Sequence, residues 1–160
     1  MSEERKYTIE EANKYFAINY NNKIWPLLEK KEKTEDENNE IINLAHASLL
    51  HWSKSAECKN VNLQRGEYMI ALAYINANRK RPALYYAKRC KKMTEENAAE
   101  SKDFDFAYAS LVMAMALRLN EDREGADKYL KDAKEMGEHI KNKEDKRIFM
   151  DDLKAALEQF

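Results

Sequence analysis

The side chains best suited to chemistry are three histidines, two cysteines and two short charged clusters, Arg65-Gly66-Glu67 and Asp103-Phe104-Asp105. His46 and His51 lie five positions apart, about 140° around a helix, so they do not share a face as an i, i+4 metal pair does. Two ordinary hydrogen-bonded histidines fit that spacing better. Cys58 and Cys90 form no CxxC pair, and Cys90 sits among small residues, where a thiol behaves as a small hydrophobe. No GxSxG elbow, glycine-rich phosphate loop or HExxH is present. These residues therefore carry no metal or cofactor signature, and no enzyme activity is expected from them.

What must position them is set by composition. The chain has 160 residues, 36% charged and 44% hydrophobic, with 28 Lys+Arg against 29 Asp+Glu and a net charge of -1. That length suits one domain at about 150 residues per domain. The balanced charge argues against a wholesale polyanion binder, so a nucleic-acid partner is not expected. Three glycines, two prolines and valine only at Val61 and Val112 make a sandwich or barrel hard to build. Ala, Leu, Glu, Lys, Met and Arg dominate, and these keep most of their rotamer freedom in a helix. The start, Met1-Ser2-Glu3-Glu4-Arg5-Lys6, is charged with no apolar stretch behind it, so no secretory signal is expected. The longest apolar run without an aromatic residue, 111–117, falls far short of the roughly 20 residues of a membrane span. Two cysteines cannot form a disulfide framework, and a soluble cytoplasmic protein with reduced thiols is expected.

Along the chain the apolar spacing of three and four predicts seven helices. Thr8 is a good N-cap, with Glu10 and Glu11 in the first turn. Pro26 should kink or end that helix nearby. Thr34 or Asp36 caps a second helix carrying Ile41, Leu44, Ala45, Ala47, Ser48, Leu49 and Trp52. A third covers 63–77, and Pro82 fits the first turn of a fourth ending near Met93 or Thr94. Asp103 or Asp105 caps a fifth, the turn 120–122 leads into a sixth over 123–140, and 143–158 forms a seventh with Ile148, Phe149, Leu153 and Leu157 on one face.

Sliding the chain over itself gives one register, at a shift of 43. Ala71-Leu72-Ala73 falls on Ala114-Met115-Ala116, Ala83 on Ala126, Tyr86 on Tyr129, and Met93 on Met136. One further shift keeps residue type only: Leu44 with Ala87 and Leu130, Ala47 with Cys90 and Ala133, Trp25 with Tyr68 and Leu111. One helical hairpin cannot bury its apolar face alone, so hairpins must stack, about three being the minimum. The organisation expected is one domain, 1–160, of hairpins at about 8–58, 61–95 and 103–140 with a capping helix at 143–158.

A small residue in the first helix of each pair (Ala71, Ala114), one opening the second (Ala83, Ala126) and another seven later (Cys90, Ala133) resemble the tetratricopeptide repeat. The sequence departs from that pattern in an alanine for the usual glycine, no aromatic opening the first helix, and a spacing of 43 instead of 34. The stretches 46–52, Arg65-Gly66-Glu67 and Asp103-Phe104-Asp105 also look like those of a group of uncharacterised bacterial repeat proteins. The resemblance implies an all-α fold of antiparallel hairpins, a short right-handed α-solenoid, that binds a protein or peptide and performs no catalysis. It implies that the free faces of the first helices line the concave side, here Tyr68, Leu72, Tyr108, Met115 and Arg118. Adaptable methionine and rigid tyrosine suit a peptide groove, although the same residues also suit packing between hairpins.

Stacking brings the end of one second helix beside the starts of the following first helices. That rim would gather His51, Trp52, Arg65, Glu67, Asp103, Asp105 and Tyr108. A polar and aromatic pocket for a peptide end, a carboxylate or a metabolite is one reading, and it supports the alternative function of a small-ligand sensor or unrecognised enzyme. Structural roles are the commoner arrangement: Arg65 paired with Asp105 or Glu67, aspartates as caps, Trp52 as filler. A homo-oligomer burying its own concave face is a third reading. The basic run Arg79, Lys80, Arg81, Lys88, Arg89, Lys91 and Lys92, with Tyr85 and Tyr86 interleaved, spreads round a helix and fits a solvated outer face.

Overall fold

Among the described residues, six of the seven helices start where a side chain bonds an amide of the first turn or of the cap; the fourth, which follows Arg79, does not. In the computed structural model, which describes residues 6–159, Thr8 Oγ1 accepts from the Glu11 amide at 3.1 Å, and Glu11 returns the bond to the Thr8 amide at 2.8 Å. Thr34 and Glu37 form the same reciprocal pair. The charged start at 1–5 and Phe160 lie outside the described residues. The helices are α1 (Ile9–Leu28), α2 (Glu35–Lys54), α3 (Asn60–Asn76), α4 (Lys80–Glu96), α5 (Asp103–Leu119), α6 (Arg123–Glu138) and α7 (Lys143–Leu157). No strand occurs among the described residues, and no helix is long and apolar enough to cross a membrane. Pro26 ends α1 within one turn.

Two boundaries differ from expectation for one reason. The aspartates do not occupy the cap of α5. Lys102 does, and Asp105, three residues in, accepts its amide at 2.9 Å. Forty-three residues earlier Asn62 does the same for Lys59 at 2.9 Å, so α3 starts at Asn60 and not at 63. Turn-forming side chains inside the first turn, working backwards on the cap amide, draw both helices out by a few residues.

The repeat is written into the backbone. Asn78 and Glu121, 43 positions apart, are the described non-glycine residues with positive φ, 57° and 69°. Around each, the turn closes alike: Arg79 N–H reaches Tyr74 C=O at 2.9 Å and Asp122 N–H reaches Leu117 C=O at 3.0 Å. Ala71 and Ala114, and Ala83 and Ala126, are all fully buried. Missing side-chain bulk at these positions lets the paired helices approach closely. Tyr86 and Tyr129 both pack, half-buried, against the central core.

The first hairpin keeps the architecture but not the register. Buried Ile41, Ala45 and Ser48 of α2 fall 42 residues before Ala83, Ala87 and Cys90, while Leu50 is exposed. Trp25 is 43% exposed where Leu111 is 2%, so those two do not occupy equivalent sites. The longer connection between α1 and α2 absorbs the slip.

Packing joins each hairpin to the next: α2 meets α3, α4 meets α5, α6 meets α7, and the first helices α3, α5 and α7 touch in turn. Three apolar clusters seal these contacts, one around Ile24, Ile41 and Ile70, one around Val112 and Met113, and one around Leu111, Phe149 and Leu153. Phe149 is fully buried, a burial contributing about 1.5–3 kcal/mol. It lies where a Cβ on Gly137 would come within 2.4 Å of its ring, so α6 and α7 meet there only because position 137 has no side chain. Ile148, expected on the buried face of α7, is instead 43% exposed.

Candidate functional site

With α3, α5 and α7 side by side, their shared flank leaves a groove of about 610 Å³. Trp25 and Asn21 come from α1, Trp52 from α2, Arg65, Tyr68 and Met69 from α3, Phe104, Asp105 and Tyr108 from α5, and Ile148 and Asp152 from α7. Its floor is polar but satisfied. Buried Gln64 donates to Ser101 Oγ at 2.9 Å, and Thr94 donates to the Cys90 carbonyl at 2.8 Å. Burial pushes the Cys90 thiol up to about 12, so it stays protonated and unreactive.

Arg65 and Asp105 cross from α3 to α5. Nε meets Oδ1 at 2.8 Å and Nη2 meets Oδ2 at 2.9 Å, a two-pronged pair whose carboxylate is buried. The guanidinium also sits over the Phe104 ring, 5.1 Å from its centroid. Tyr68 meets Tyr108 edge to face at 5.4 Å, and Tyr108 meets Phe149 likewise at 4.9 Å. Tyr108 donates its hydroxyl to Asp152 Oδ2. Burial, with the Asp152 carboxylate beside them, holds both tyrosines well above the usual phenol range, so each presents a neutral O–H.

The structure brings together Trp52, Arg65, Tyr68, Asp105 and Tyr108 in this one groove, which merges part of the expected rim with part of the expected concave face. Five expected residues lie elsewhere. His51 hydrogen-bonds Asn13 at 2.8 Å between α1 and α2 and packs against Phe16 and Tyr20, so it does not share a site with Arg65 and Asp105. Glu67 is 3% exposed and turns to the other side of α3, where Oε1 accepts from Arg89 at 2.7 Å. Met115 and Arg118 border a second hollow of about 480 Å³ at the far ends of α3, α5 and α7, with Lys80 and Leu119. Asp103 is the first residue of α5 and not its cap; Oδ1 accepts from the Phe104 amide at 2.8 Å and Oδ2 from the Lys141 amide at 2.9 Å.

Trp25, Phe104, Ile148 and Asp152 were missed as groove residues. Trp25 and Tyr68 both line the groove, although the first hairpin does not share the register that matches them. Ile148 and Asp152, four apart on α7, share a helix face, and that spacing is the sequence signal that joins them.

The basic run is largely neutralised. Arg79 pairs with Glu35, Lys80 with Glu121, Arg89 with Glu67, Lys91 with Glu95 and Lys92 with Glu96. Among the described residues no three His, Cys, Asp or Glu side chains cluster so as to hold a metal ion. His46 hydrogen-bonds the Tyr74 hydroxyl at 3.0 Å, away from the groove.

Compared with protein-family models, curated proteins and solved structures, the chain matches none of them.

Proposed function

We propose that the protein is a non-enzymatic, tetratricopeptide-like interaction module of a bacterial cytoplasm that binds a protein or peptide segment in the groove across α1, α3, α5 and α7. The observation that carries this reading is the lining: two tryptophans, two tyrosines, a phenylalanine and an exposed isoleucine converge on one open groove. Rigid aromatic side chains are the residues that dominate binding energy at protein interfaces. A groove of this size also fits the range of specific ligand sites. The polar groups beneath it are paired with one another, so apart from the exposed Asp152 carboxylate the groove offers a ligand its apolar walls.

Panning a phage library of random dodecapeptides against the protein tests this. Wild type should enrich a recurrent set of peptides, and the double variant Trp25→Ala, Trp52→Ala should bind them about tenfold more weakly or less, both tryptophans being groove residues. No enrichment on wild type, or equal binding by the double variant, would overturn the reading.

A further inference from the structure

Three charged side chains line the groove: Arg65, Asp105 and Asp152. Arg65 and Asp105 neutralise one another through their paired hydrogen bonds. Asp152 is different. It is exposed on α7, it accepts the Tyr108 hydroxyl, and among the described residues no cation pairs with it. Around it stand aromatic rings whose faces carry negative electrostatic potential and attract cations. The groove already shows this attraction once, because Arg65 and Lys102 both sit over Phe104, at 5.1 and 5.6 Å. That ring is served by the chain's own cations. Among the described residues no cation stands over Tyr68, Tyr108, Trp25 or Trp52.

We propose that the groove selects a peptide segment carrying a lysine or arginine flanked by apolar residues. The cationic head meets the Asp152 carboxylate at Oδ1, the oxygen not taken by the Tyr108 hydroxyl, beside the Tyr68–Tyr108 pair, and the apolar neighbours rest on Trp25, Trp52 and Ile148. An acidic segment would instead meet an unneutralised carboxylate, a like-charge contact that rejects it. The inference rests on the groove being the peptide site.

The same phage selection, run against wild type and Asp152→Asn, separates the two claims. Asp152 is on the surface of α7, so the variant should fold; its circular dichroism and melting curve check that. A selected peptide is then made with its basic residue intact, and with norleucine or glutamate in its place. Fluorescence anisotropy should show norleucine weakening binding to wild type three- to tenfold, glutamate more, and norleucine having little effect on Asp152→Asn. Groove-binding peptides with no basic preference, or a norleucine effect equal in both proteins, would overturn this inference and leave the peptide groove standing. No enriched peptide at all would overturn both. Displacement of the peptide by an equimolar amount of Nα-acetyl-lysine amide would show that the ligand is a small amine, against a peptide segment.

Discussion

Arg65 and Asp105, on neighbouring first helices, are joined by two parallel N–H···O bonds of 2.8 and 2.9 Å, and Asp105 also accepts the Lys102 amide that opens its own helix. One buried carboxylate thus fixes a helix start, bridges two hairpins and holds the guanidinium over Phe104 in the groove wall.

Removing either partner should therefore destabilise the fold, and unequally. Arg65→Ala strands a buried carboxylate, although the half-exposed guanidinium limits the loss to about 1–3 kcal/mol. Asp105→Ala should lose more, because the cap of α5 goes with the pair. The double variant should cost less than the sum of the two by about 1 kcal/mol. Urea denaturation of the four proteins measures this; strict additivity would mean that the pair does not couple the hairpins.

Gly137→Ala tests the close approach of α6 and α7. Helix propensity alone favours alanine by about 1 kcal/mol. The new methyl would meet the buried Phe149 ring at 2.4 and 2.7 Å, and overpacking of this kind costs about 1–3 kcal/mol. A net loss of about 1 kcal/mol is expected in chemical denaturation, whereas a gain would show that the two helices are free to separate.

His46 should make stability fall as the solution is acidified. Burial holds its imidazole below the usual 6.5, with Glu67 opposing that shift. The unfolded chain then takes up the proton first, so stability is complete above pH 6.5 and is lost as pH falls from there towards the lower folded value. His46→Gln should flatten melting temperature against pH between 7.5 and about 5.5. An unchanged slope in the variant would assign it to another group.

Much of this architecture was legible because it rests on local rules. Helix spacing, the caps at Thr8 and Thr34, and the 43-residue register all follow from side-chain type at fixed intervals, and Ala71, Ala114, Ala83 and Ala126 are buried as that register requires. Rotation about a helix axis was less legible. Glu67 and Tyr68 are adjacent in sequence, yet one turns inward to Arg89 and the other lines the groove. Which way each faces depends on how α2 and α4 flank α3, a tertiary fact that spacing along one helix does not contain. The slip of the first hairpin was hidden for the same reason, since its longer connection changes register without changing residue type. Ile148 shows the remaining difficulty. An apolar residue on a helix reads as core, and only the neighbouring helices decide whether it closes a core or walls a groove.

The two tryptophans of the chain, Trp25 and Trp52, both line the groove, which gives the central claim a direct optical reading. Titrating the protein with a peptide selected on it should change tryptophan emission saturably, at the same concentration at which anisotropy of the labelled peptide reports binding. Binding seen by anisotropy with tryptophan emission unchanged would place the peptide elsewhere on the molecule and contradict the account.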